Sequence, residues 1–277
     1  MIRPNQTIQS TVSVSGIGIH SGKPVSVTVS PGDSGVRFYR SDCSAWVPVC
    51  PASISGANRA TALAANGVRV TTPEHLLAAI WGCGITDIDI ALDAEEVPIL
   101  DGSARPWVAA IREAGRVALP GFQAPWVVQA PMRIDNQGGQ LILLPDDQLR
   151  FTYILTHADT IVDTQVCHGV WTEDWFETAI APARTFGFAS DLAAIEAAGL
   201  GKGIRADNVL GIDADGYQSE LRVPVEPAAH KILDIIGDLS IFGRPIQGHV
   251  LGIRSGHAAN LAMVEALYQR FSAGLND

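Results

Sequence analysis

Leu119-Pro120-Gly121-Phe122-Gln123-Ala124-Pro125 decides how the chain is divided. Two prolines and a glycine so close together have the punctuation of a linker, and they fall near the middle of 277 residues. That length exceeds a typical single domain, so a first domain over residues 1–120 and a second over 125–277 are expected. On the N-terminal side, Val25-Ser26-Val27-Thr28-Val29 alternates with a period of two, and Val36-Arg37-Phe38-Tyr39 follows the turn residues Pro31-Gly32-Asp33. A helix starts near Thr72-Pro73 and ends by Gly82 or Gly84. Residues 85–90 alternate again, and 107–111 form a second helix. On the C-terminal side, strands resume at Trp126-Val127-Val128 and continue over 140–144 and 150–156. Helices are expected around 191–198, from about Ala228, and from Ser255 towards Phe271. Strands gathered before helices in each half predict an α+β fold of two similar domains, each a β-sheet packed with helices. A faint echo links the halves: His75 and His230 each stand seven residues before a glycine, Gly82 and Gly237, that follows a short apolar helix.

Composition excludes some functions. Apolar residues make up 47% and charged ones 17%, enough material for packed cores and against disorder. The net charge of -10 and the lack of any basic run argue against nucleic acid as a partner. A few local cations still suffice for one diphosphate. Met1-Ile2-Arg3-Pro4-Asn5-Gln6 lacks the apolar core of a signal peptide, and no apolar run approaches the roughly 18 residues of a membrane-spanning helix. Cys43, Cys50, Cys83 and Cys167 form no C-x-x-C pair and read as reduced thiols, so a cytoplasmic location is expected. Cys167-His168 is a poor nucleophile–base pair, because neighbours on an extended strand point to opposite faces.

Three stretches carry candidate chemistry. In Ala229-His230-Lys231-Ile232-Leu233-Asp234-Ile235-Ile236-Gly237-Asp238-Leu239, helical geometry puts the aliphatic residues on one broad face. His230, Asp234 and Asp238 form a narrow stripe opposite. A His/Asp pair at i,i+4 can aim an imidazole nitrogen and a carboxylate oxygen at one metal; the competing reading is an ordinary solvated face. In Thr71-Thr72-Pro73-Glu74-His75, a carboxylate stands beside a potential ligand, the arrangement that metal-assisted hydrolysis needs. A Thr71/Glu74 capping box and a near-core histidine are the alternatives. In Ser255-Gly256-His257, Ser255 is a plausible N-cap, and Leu261, Val264 and Tyr268 turn His257 inward. A helix N-terminus disfavours an imidazolium, so a general acid there needs a carboxylate, and Asp238 is the candidate; a buried structural histidine is the alternative. Gly16-Ile17-Gly18 does not complete a dinucleotide fingerprint, and Gly199-Leu200-Gly201-Lys202-Gly203 lacks phosphate-loop spacing and reads as a flexible turn.

These motifs, in this order, resemble the UDP-3-O-acyl-N-acetylglucosamine deacetylase family, the zinc amidases of lipid A biosynthesis. The resemblance runs from Gly16-Ile17-Gly18-Ile19-His20-Ser21-Gly22 through Glu96-Val97-Pro98-Ile99-Leu100-Asp101-Gly102-Ser103 and Ala183-Arg184-Thr185-Phe186-Gly187-Phe188 to the final helix. It implies two similar α+β domains with the metal site between them. It also implies a short insert in each half, the second near 190–215 lining an acyl passage. His75, His230 and Asp234 are implied as ligands of Zn2+, with Fe2+ as an alternative ion. Glu74 is implied as general base, His257 as general acid oriented by Asp238, and Thr185 as the oxyanion donor. Lys231, Phe186 and His20 are implied as substrate contacts. The expected partner is a small molecule, an acylated UDP-sugar, acted on by a monomer. Another N-acetylated sugar nucleotide as substrate, or a silent sugar-nucleotide-binding protein, are the rival readings. The sequence departs from the family pattern at Glu226-Pro227-Ala228-Ala229 and at His157-Ala158, which bears on the rim of the pocket.

Overall fold

The alternation in Val25–Val29 lies inside β3 (Pro24–Pro31), where the three valines are buried and Ser26 is exposed. The computed structural model describes residues 3–136, 138–156 and 162–274; the His157-Ala158 departure lies outside them. The strand β3 belongs to a sheet ordered β2 (Val12–Ile17), β3, β9 (Ile88–Leu92), β4 (Val36–Arg40), β5 (Ala45–Pro48). A second sheet has the same plan: β12 (Met132–Asn136), β13 (Gly139–Leu144), β19 (Ile246–Ile253), β14 (Leu149–Leu155), β15 (Gln165–Val170), with β11 (Trp126–Val127) added parallel to β19. In both, the third and fourth strands of that order are parallel and the other neighbours antiparallel.

Parallel neighbours demand a long crossover, and the crossovers carry the interesting residues. The first passes through a small sheet of β6 (Ile54–Ala57), β7 (Thr61–Ala65) and β8 (Val68–Thr71) into helix α1 (Glu74–Gly82). The second passes through the short α3 (Glu173–Trp175), a small sheet of β16 (Phe186–Phe188), β17 (Leu210–Asp213) and β18 (Gly216–Tyr217), the intervening α4 (Leu192–Ala197), and helix α5 (Glu226–Ser240). Helices α2 (Arg105–Ala114) and α6 (His257–Gly274) follow β9 and β19. This is the mixed α+β fold expected from the alternation of patterns.

Helices α1 and α5 lie against each other in the core. A Cβ at Gly237 would stand 2.1 Å from the Glu74 carbonyl oxygen, and one at Gly82 would meet the Phe176 ring at the same distance. Gly237 therefore does not end its helix, contrary to the sequence expectation; α5 continues to Ser240, and the glycine admits a neighbouring backbone. Nor is the polar stripe of α5 a solvated face. His230, Asp234 and Asp238 are as buried as the aliphatic residues around them, because the helix is covered everywhere except at Lys231 and Ser240.

Three further expectations are corrected. Much of the linker is a strand: β10 (Arg116–Gln123) pairs antiparallel with β1 (Arg3–Ile8), and Pro120-Gly121 sit where the register slips between Pro4 and Gln6. Proline and glycine are tolerated at such a bulge on an exposed ribbon. The turn at 199–203 is docked rather than free, since the Gly203 N–H donates to Ile19 O at 2.9 Å and the Lys202 N–H to His20 O at 3.3 Å. Tyr268 faces solvent, although Leu261 and Val264 are buried as expected. Cys167 is buried and His168 exposed on opposite sides of β15, so they form no catalytic pair. Among the described residues no helix is long and apolar enough to cross a membrane.

Candidate metal centre

Pro73 precedes α1 and directs Glu74 and His75 into its first turn, but no side chain caps the helix. The Thr71/Glu74 capping box does not form. Thr72 adopts φ +56° and turns the chain, and the Glu74 carboxylate points away from the helix end. Its Oε2 accepts from the Thr61 N–H at 3.3 Å, and its Oε1 lies 3.7 Å from His257 Nε2.

The ligating atoms of His75, His230 and Asp234 lie within 4.8 Å of one another, all buried; among the described residues no other such group occurs. His75 Nε2 is 3.6 Å and His230 Nε2 3.3 Å from Asp234 Oδ1. The Nδ1–H of His230 donates to the Ala183 carbonyl at 3.0 Å, which leaves the Nε2 lone pair facing the cluster, the second-shell device that orients ligating histidines. Burial pulls the His230 imidazole down to about 3, so it is neutral, as a ligand must be. Asp234 has the opposite balance: burial would raise its carboxyl, but Lys231, His230 and His257 hold it well below the usual carboxylate range. Asp234 Oδ2 accepts from Lys231 Nζ at 2.8 Å, while Oδ1 is buried without a hydrogen-bond partner. A buried, ionised oxygen facing two imidazole nitrogens is what a divalent cation satisfies. The residues present fit a zinc ion.

Around this cluster stand the remaining candidates. His257 begins α6, with Gly256 O accepting from the N–H groups of Ala259 and Asn260. Ser255 does not cap through its side chain, because its Oγ has no partner. The Nδ1–H of His257 donates to Asp238 Oδ2 at 2.8 Å. Burial alone would lower the imidazole, yet Asp238, Glu74 and Asp234 hold it up to about 10. Burial also pushes Glu74 up to about 7, against the pull of His257 and His75. Thr185 lies two residues past the Ala183 carbonyl, its N–H donating to Gly102 O at 2.7 Å and its own carbonyl accepting from the Leu210 N–H at 2.8 Å. This joins the Ile99–Ser103 motif to the Ala183–Phe188 motif.

Phe186 stands edge-on to His230 with ring centres 6.3 Å apart, and Lys231 Nζ lies 5.5 Å from the Phe186 ring centre. Both line a cavity of about 330 Å³ together with Tyr153, Phe188, Arg254 and Ser255. His20 lines a separate cavity of about 700 Å³ with Ser21, Ala60, Glu96 and Leu200. Its N–H and that of Ser21 donate to the buried Glu96 carboxylate at 2.8 Å each, and its Nδ1 is buried without a partner. Glu226 and the alanines after it sit buried at the start of α5, not at a pocket rim. Sequence reasoning gave no role to Thr61, Asn260, Arg254 or Glu96. Asn260, three residues after His257 on α6 and bonded to the same Asp238 oxygen, could have been found by its helical spacing, whereas the others meet their partners only through the fold.

Over residues 5–269 the chain matches the family model described as LpxC: UDP-3-O-acyl N-acetylglycosamine deacetylase. It is 36% identical over 268 residues to the UDP-3-O-acyl-N-acetylglucosamine deacetylase of Leptospira biflexa serovar Patoc, covering 95% of this chain and 89% of that protein. It is similarly related to the enzymes of that name from Anaeromyxobacter dehalogenans, 36% identical over 94% of this chain and 86% of that protein. The Chlamydia muridarum enzyme is 35% identical over 94% of this chain and 93% of that protein. With near full-length similarity and a buried His/His/Asp cluster that fits a metal, the chain belongs to the UDP-3-O-acyl N-acetylglycosamine deacetylase family.

Proposed function

We propose that this chain hydrolyses the acetamide of UDP-3-O-(3-hydroxyacyl)-N-acetylglucosamine to acetate and the free glucosamine amine, an early step of lipid A biosynthesis. The observation that carries the reading is the orphaned Asp234 Oδ1, flanked by two imidazole Nε2 atoms, with Glu74 and His257 beside it. His75, His230 and Asp234 would hold zinc, or iron, which such ligands also accept. The bound ion supplies Lewis acidity, polarising a carbonyl and lowering the pKa of water to about 7.

The protein's own groups do the rest. Glu74 takes a proton from the attacking water, a task suited to a base whose carboxyl burial has raised to about 7. His257, kept protonated and oriented by Asp238, delivers a proton to the amide nitrogen as the C–N bond breaks. Without that proton the tetrahedral carbon would expel the water-derived oxygen instead of the amine. The Thr185 hydroxyl donates to the oxyanion, a contribution on the order of 3 kcal/mol for a well-placed donor. Lys231 and Phe186 contact the substrate at the smaller cavity, and His20 at the larger. The repeated strand order supports two similar domains, residues 1–120 and 125–277, with the site between them. Residues near 190–215 form the insert that lines the acyl passage; Ile212 of that stretch packs against Phe188, which lines the smaller cavity. The chain acts as a monomer in the cytoplasm.

The decisive experiment assays zinc-loaded protein on acylated and non-acylated UDP-N-acetylglucosamine. Acetate release from the acylated substrate that stops with a chelator and returns with zinc is expected. His257→Ala should retain its metal while turnover collapses; normal turnover removes His257 from the mechanism. Equal rates on both substrates would point to a different sugar nucleotide.

A further inference from the structure

The two groups that exchange protons in the proposed reaction reach the site on different elements, Glu74 from α1 and His257 from α6, yet one residue touches both sides. Thr61, the first residue of β7, is completely buried. Its hydroxyl donates to Asp238 Oδ1 at 2.5 Å, while Asp238 Oδ2 accepts from His257 Nδ1 and Asn260 Nδ2 at 2.8 Å each. Its N–H donates to Glu74 Oε2 at 3.3 Å. Its carbonyl accepts from the Thr72 N–H at 2.9 Å, tying β7 to the turn that launches α1. A carboxylate bonded through one oxygen can still swing about its Cβ–Cγ bond, whereas donors on both oxygens leave Asp238 a single orientation. The sequence around Thr61 is Ala60-Thr61-Ala62-Leu63, all buried. A hydroxyl buried there without a partner would be unfavourable; its bond to Asp238 satisfies it, and it also lies 3.4 Å from His257 Nδ1.

We propose that Thr61 is a positioning residue of the reaction: its hydroxyl locks the Asp238 carboxylate so that His257 Nε2 is aimed at the reacting centre, and its N–H keeps Glu74 in register with that imidazole. The inference rests on the deacetylase reading above. Thr61→Val removes the hydroxyl and keeps the shape; Thr61→Ser keeps the hydroxyl. Zinc-loaded variants are compared for kcat, KM, zinc content and the low-field proton resonance of His257 Nδ1–H, assigned by its loss in Asp238→Asn. Thr61→Val is expected to lose about 10- to 100-fold in kcat, as outer-shell partners do, with KM and zinc content unchanged and the resonance displaced. Thr61→Ser should recover both. In an Asp238→Asn background Thr61→Val should cost much less, because its short bond is to Asp238 and its contact with His257 Nδ1 is longer, at 3.4 Å. Wild-type kcat in Thr61→Val, or an equal loss in both backgrounds, overturns the inference. A wild-type chain that binds zinc but releases no acetate overturns the deacetylase reading instead. The resonance still tests Thr61 in that case, and an undisplaced signal in Thr61→Val overturns its role.

Discussion

At the scale of the residue, Asp234 shows how one side chain divides its work. Oδ2 is satisfied by Lys231, and Oδ1 faces His75 and His230 with nothing to accept from. Replacing it by asparagine removes the charge and keeps the size. Asp234→Asn should lose zinc during dialysis that the wild type survives, and metal analysis of the two proteins checks this; full retention would remove Asp234 from the ligand set. Lys231 belongs to the same balance. Burial would deprotonate its amine, but Asp234 holds its pKa above the usual lysine value, so the lysine stays a cation beside the smaller cavity.

At the scale of the element, α5 is positioned at both ends. Near its C-terminal end Gly237 admits the Glu74 backbone. Gly237→Ala should destabilise the fold by about 1–3 kcal/mol, the usual cost of forcing atoms into a packed core, and lower turnover by displacing α1 with Glu74 and His75. Denaturant unfolding and an activity assay read the two effects, and an unchanged midpoint would mean that the contact relaxes freely. At its start, Glu226 accepts from Arg184 N, Nε and Nη2 and from Arg222 N at 2.7–3.1 Å. This holds the Ala183–Thr185 segment whose carbonyl orients His230. Burial would raise the Glu226 carboxyl, but the bonds from Arg184 and Arg222 hold it below its ordinary 4.5. A depressed folded pKa contributes stability that is present above pH 4.5 and lost as pH falls through the folded value. Glu226→Gln should therefore cost about 3–5 kcal/mol at neutral pH, as breaking a buried pair does. Its deficit against wild type should shrink below pH 4.5 in urea unfolding; a pH-independent gap contradicts the assignment.

At the scale of the molecule, the candidate ligands come from two crossovers, and an ion held by them would bridge α1 and α5. Anything that binds only the folded state stabilises it, by about 2.7 kcal/mol at a free concentration one hundred times Kd. Calorimetry should show a melting temperature that falls when a chelator is added and recovers with zinc. His75→Ala should show no such shift, and identical melting of wild type with and without chelator would argue against a metal shared between the helices. A second tie, the Gly203 and Lys202 amides on the loop at Ile19 and His20, joins the two halves independently of metal.

The chain's own pattern determined the alternating strands, the helices that carry His75, His230 and His257, and which side chains are candidates for ligation and acid–base work, because these lie within short motifs whose spacing is local. It also marked Pro120-Gly121 as special, though not as a bulge in a strand, since pairing with β1 depends on a partner more than a hundred residues away. Tertiary structure alone decided that the polar stripe of α5 is buried, that Gly237 is a contact point, and that Thr61 meets Asp238 across 177 positions of sequence. Periodicity reports which side of an element is polar. What covers that side is set by how the crossovers of two like sheets pack together, and no window of sequence contains both.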